Sequence, residues 1–143
     1  MARYNVGTAK TTGAAAGLIC QLRAGAARDM RVWEIGVFST TTVAANVALI
    51  RPSAVGATFT STAAGSPEDF AASAGVAVVD TAAGTAPTIG TNWMRRIQFP
   101  ATIGSGVIWT FPMGLNIPVN GSLALWQNSA AAVGYEVYFT YDE

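Results

Sequence analysis

The chain is predicted to be all-β: an antiparallel two-sheet sandwich of the jelly-roll type with at most one short helix. Three observations predict it. Apolar residues recur at alternate positions, the period of a strand with one buried face. Eight or more such runs, each short, are separated by Gly, Pro, Asn and Ser. One long excursion from Ser53 to Thr91, rich in Ala, Gly, Thr and Ser, divides them. Connections so unequal favour a jelly roll over an immunoglobulin-like sandwich or an up-and-down barrel. At 143 residues the chain fits one domain, 1–143. Folding at this size buries about 68–70% of the unfolded surface, so no disulfide or metal staple is needed.

The elements follow in chain order. Residues 1–13, "MARYNVGTAKTTG", read as an N-terminal arm reaching a neighbour, with Arg3 and Tyr4 as its contacts; "ARYNV" within it is a weak strand signal. "AAGLICQLR" is a strand, and its lone Cys20 reads as a small buried hydrophobe. In "RVWEIGVFS" the alternation puts Trp33, Ile35 and Val37 on one face and Val32, Glu34, Gly36 and Phe38 on the other. "NVALIR" reads as the return strand, closed by Pro52. "ATFTS" and "VAVVD" are weak strands on either side of "SPEDFAAS". In that segment Ser66 as N-cap, Pro67 and two acids predict the one short helix.

"WMRRIQF" and "GVIWTF" are strands, the latter broken at Pro112 to Gly114, and "LNIPV" is a weak strand that lies at an edge or is irregular, because Pro118 cannot donate. Asn120-Gly121 predicts a tight hairpin turn into "SLALWQ". The sequon there, Asn120-Gly121-Ser122, has no secretory signal before it and reads as a turn. The clearest strand is "VGYEVYFTYDE". Val133, Tyr135, Val137, Phe139 and Tyr141 share its buried face, and Gly134, Glu136, Tyr138, Thr140 and Asp142 the other.

Composition narrows the function. Only 11% of residues are charged, against about 25% in an ordinary domain. The 8 basic and 8 acidic residues cancel, while 51% of the chain is hydrophobic. A folded chain with so little charge tends to associate. No stretch approaches about 20 apolar residues, so no membrane span is expected, and the chain is expected to mature as written.

There is no histidine, which removes Ser-His-Asp and Cys-His nucleophiles and the histidine-ligated metal sites of cupins. A serine activated by lysine would have to use Lys10, the only lysine. The carboxylates show no paired spacing, and Glu68-Asp69 suits a helix N-terminus better than catalysis. Arg95 and Arg96 are the sole adjacent basic pair and point to opposite faces of a strand, so no nucleic-acid patch is expected. Trp93, Trp109, Trp126 and Tyr138 read as core or interface before a sugar-stacking platform. No catalytic, cofactor or metal site is predicted.

Three stretches, "RVWEIGVFSTTTVAANVALIR", "IGSGVIWTFPMGLNIPVNGSLALWQN" and "VYFTYDE", resemble small jelly-roll virion proteins of tailed bacteriophages. The resemblance covers Ala2 to Arg51 and Trp93 to Glu143; Pro52 to Thr91 matches only in its small residues. It implies a non-enzymatic particle component at the capsid surface, made in the host cytoplasm. The implied type is a decoration (cement) protein that assembles as a homotrimer and binds the major capsid protein or another virion protein. A tail or head-fibre position, with a receptor- or glycan-binding role, stays open. Expected interface residues are Arg3, Tyr4, Trp126 and Tyr138.

Overall fold

A computed structural model describes residues 1–143. It contains eleven strands and no helix. They are β1 (Arg3–Thr11), β2 (Gly17–Arg23), β3 (Met30–Ser39), β4 (Ala45–Ile50), β5 (Ala57–Ser61) and β6 (Ser66–Pro67), then β7 (Val78–Thr85), β8 (Arg95–Phe99), β9 (Gly106–Ile117), β10 (Ser122–Gln127) and β11 (Gly134–Asp142). One sheet runs β6-β1-β11-β3-β9 and the other β5-β7-β2-β10-β4-β8. Every named pairing is antiparallel. Without the three strands of the excursion, β5 to β7, the sheets are β1-β11-β3-β9 and β2-β10-β4-β8. The chain changes sheet at each step from β1 to β4 and again from β8 to β11. That alternation is the jelly roll.

The core lies between the sheets. β11 contributes Tyr135, Val137, Phe139 and Tyr141, and β3 contributes Val32, Ile35 and Val37; Leu22, Val47, Leu49, Leu123 and Leu125 oppose them. Each such side chain stabilises the fold by about 1.5–3 kcal/mol relative to exposure. Cys20 is buried among them, and burial pushes its thiol far up, so it stays protonated and unreactive.

Several expectations are corrected. Residues 1–13 are not a free arm: Arg3 to Thr11 pair residue by residue with Asp142 to Gly134. No helix forms at "SPEDFAAS". Ser66 and Pro67 pair instead with Asn5 and Tyr4, and the Glu68 N–H donates to the Arg3 carbonyl. The extended backbone is held by β1, and Asp69 caps only a turn, accepting from Ala71 N–H at 2.9 Å.

On β3, Trp33 and Val32 exchange faces. The register passes from Val32 to Glu34 against both β9 and β11, leaving Trp33 as an unpaired bulge residue. Its ring turns outward, where Nε1–H donates to Asp142 at 2.7 Å. Opposite the same bulge, Phe111 to Gly114 have no partner on β3, so "GVIWTF" and Leu115 to Ile117 form one strand with a looped-out middle, and Pro118 and Val119 fall outside it. Pro112 is tolerated there because no ladder bond is asked of it. Gly114 takes φ +68° against the Arg31 side chain.

Neither expected hairpin exists. β4 lies in the opposite sheet from β3, and β10 in the opposite sheet from β9. Asn120 does adopt a left-handed φ of 58°. The turn it serves, Gly121 N–H to Pro118 carbonyl at 2.8 Å, carries the chain across the sandwich.

Candidate functional site

The outer face of the five-stranded sheet is the surface with the most organised chemistry. β1, β11, β3 and β9 lie side by side, so one cross-strand row reads Gly7, Tyr138, Gly36, Ile108 and the next reads Ala9, Glu136, Phe38, Gly106. Tyr138 lies flat across Gly36, where a Cβ would collide with its ring. This is a close approach that only glycine allows. Its hydroxyl donates to Glu34 Oε1 at 2.7 Å. On its other flank it stacks with Phe38, ring centroids 6.4 Å apart and planes 18° apart. The two rings form a fixed apolar floor beside a shallow depression of about 400 Å³, lined by Gly7, Ala9, Phe38, Glu136 and Tyr138 among others. Ile108, 51% exposed, extends the apolar surface to β9.

The carboxylates beside the two rings are Glu34 and Glu136; Asp142, at the end of the face, is taken up by Trp33 and Arg3. Glu34 accepts the Tyr138 hydroxyl, whereas Glu136 is exposed and has no hydrogen-bond or ion-pair partner. Burial, and then the hydrogen bond to Glu34, push the Tyr138 hydroxyl up to about 12. Burial also raises Tyr135 and Tyr141. Each of the three keeps its proton in the folded state where the unfolded chain has lost it at about pH 10. The folded state then binds more protons, so the contribution of these hydroxyls to stability is fully present below about pH 10 and is lost as pH rises beyond it. Urea midpoints at about pH 8 and about pH 11 should show this drop; an unchanged midpoint would mean these hydroxyls titrate freely.

The four residues expected at an interface separate. Tyr138 is on this face. Arg3 is at its end, paired with Asp142 at 3.0 Å and 5.4 Å from the Trp33 ring centroid, with Arg31 also near that ring at 6.0 Å. The hydrogen bond to Asp142 and its charge raise the Arg3 pKa further.

Tyr4 is no surface contact. It is 2% exposed, stacks on Tyr141 with centroids 5.6 Å apart, and donates to the Ser73 carbonyl at 3.1 Å. It points inward because β1 alternates, placing Tyr4 and Val6 in the core and Arg3 and Asn5 outside. Trp126 belongs to the other sheet, where it is half-buried in a cleft with Leu18, Ala83 and Ala86.

Phe38, Glu136 and Ile108 were not singled out from the sequence as site residues. The alternation groups Phe38 with Glu34 and Gly36 on β3, and Glu136 with Tyr138 on β11, but does not set β3 beside β11. Across the chain, no three His, Cys, Asp or Glu side chains converge on a point.

No protein family matches this chain. No curated protein matches it either.

Proposed function

We propose that the chain is a non-enzymatic structural protein of a phage particle, a capsid decoration protein that forms a homotrimer and binds the major capsid lattice. The observation that carries this reading is the face just described. It is a fixed apolar surface of Phe38, Tyr138 and Ile108, in a chain with little charge overall. Aromatics of this kind dominate protein interfaces, and balanced charge leaves little repulsion between copies. Decoration by many copies needs only modest affinity at each contact. The resemblance of the β3–β4 and β9–β11 sequences to phage virion proteins supplies the setting.

Particles bearing the chain, imaged at low resolution, are expected to carry it in repeated copies on the capsid shell. Its absence from the particle would overturn the reading. Tyr138→Ala is expected to weaken assembly about tenfold or more while lowering folding stability by about 1–3 kcal/mol, the worth of one hydrogen bond and one aromatic pair. Sedimentation and urea unfolding on the same protein separate the two. Lost stability with assembly intact would make Tyr138 a packing residue.

A second reading, a glycan-binding module on a tail or head fibre, is favoured by one specific feature. Two near-parallel aromatic rings lie beside the unpartnered Glu136 in a depression, with Glu34 on the Tyr138 hydroxyl. Sugar rings stack on such surfaces and their hydroxyls donate to carboxylates. Retention of labelled oligosaccharides by the wild type and not by Tyr138→Ala would establish it.

A further inference from the structure

Charge on this molecule is segregated. From residue 35 to 67 the only charged side chain is Arg51, and from 81 to 135 the only two are Arg95 and Arg96. The strands β4, β8, β9 and β10 therefore carry no acid. β8 and β9 end their respective sheets, and they end them on the same side, because β1 meets β2 and β7 at the opposite one. This margin is aromatic as well as basic. Trp109 and Phe111 reach the core only partly, and Trp93 is 49% exposed.

The Arg96 guanidinium lies 4.5 Å from the Trp93 ring centroid and is steadied by Asn46 Oδ1 at 2.6 Å. Arg95 bonds only the neighbouring Met94 carbonyl. Neither arginine has a carboxylate partner, since the two ion pairs of the chain are Arg3–Asp142 and Arg23–Asp80. Around the Phe38–Tyr138 floor, the outer face of the five-stranded sheet presents the complement in Glu34 and the unpartnered Glu136, while Arg3 and Arg31 gather at its far end by Trp33.

We infer that this face of one copy receives the β8–β9 margin of the next, with Arg96, beside Trp93, meeting Glu136 over the aromatic floor. The inference rests on the self-association proposed above and specifies its geometry. The two patches differ, so the contact is heterologous. It closes into a ring when the rotation between copies allows, as in a trimer, and propagates as a filament when it does not. Arginine is suited to the margin because its planar guanidinium both pairs with carboxylate and stacks on aromatic rings. A neutral chain with equal acids and bases has the composition of a surface that completes itself.

The test is a charge swap. Glu136→Arg and Arg96→Glu are each expected to weaken self-association about tenfold or more, and the double variant to recover most of that loss. The readout is sedimentation equilibrium, with the thermal midpoint showing that each variant folds. Glu136→Gln and Arg96→Gln give the same comparison with milder changes, expected to weaken association less.

A wild type that assembles while the single variants assemble equally well, or a double variant weaker than either single, overturns this interface and leaves self-association standing. A monomeric wild type overturns self-association and the interface with it. A free oligosaccharide that binds the assembled wild type through Tyr138 also overturns the interface, because the face would then be open.

Discussion

Asp80→Ala is expected to destabilise the fold by about 3–5 kcal/mol, toward the lower end because its partner Arg23 is partly in water. Asp80, on β7, is fully buried. It accepts from Arg23 Nε at 2.8 Å and Nη2 at 3.0 Å, from Gln21 Nε2 at 2.9 Å, and from Ser61 Oγ at 2.6 Å. Gln21 in turn bonds the Val55 carbonyl and accepts from Ser122. One carboxylate thus joins β2, β5 and β7 and ties the long excursion to the six-stranded sheet. Removing it takes one of two acceptors from the buried Gln21 amide and leaves a guanidinium, 28% exposed on its side chain, without its counter-charge. Urea unfolding measures the loss. A change below about 1 kcal/mol would place this pair among ordinary surface ion pairs.

Tyr4→Ala is expected to cost a similar amount, about 3–5 kcal/mol, as large aromatic truncations in a core do. The vacated space would lie against Tyr141, which loses its stacking partner, and the Ser73 carbonyl would lose its donor. The affinity between those copies that remain folded should not change, since the side chain reaches no surface. Equilibrium unfolding and sedimentation test the two halves separately. A variant with full stability and impaired assembly would restore the picture of a projecting arm, which the pairing of β1 with β11 contradicts.

The reading of β11 shows how far alternation carries. Its inward set, Val133, Tyr135, Val137, Phe139 and Tyr141, is wholly buried. β1 carried the same alternation, but short, Thr-containing and next to a chain end it resembled a loose segment. It becomes a strand because β11 offers it nine partners. "SPEDFAAS" fails in the opposite direction. Its local signals favour a helix, but Ser66 and Pro67 gain backbone partners on β1 that a short helix could not match. On β3, alternation misplaces Trp33 because a bulge adds one residue and inverts the period for whatever precedes it.

The candidate face was half visible in the same way. The outer residues of β3 and of β11 could be assigned strand by strand, yet Phe38 meets Tyr138 only because the two strands are neighbours. That adjacency joins segments roughly a hundred residues apart.

Composition and period therefore settled the all-β class, the low charge, and which side of most strands is buried, because these depend on each residue and its nearest neighbours along the chain. Strand order, the sheet to which each strand belongs, the bulge at Trp33, the burial of Tyr4 and Asp80, and the assembly of the Phe38–Tyr138 face depended on long-range pairing. Period-two patterns are alike from strand to strand, so they fix an inside and an outside but not a neighbour. The choice of neighbour falls to the packed sandwich as a whole.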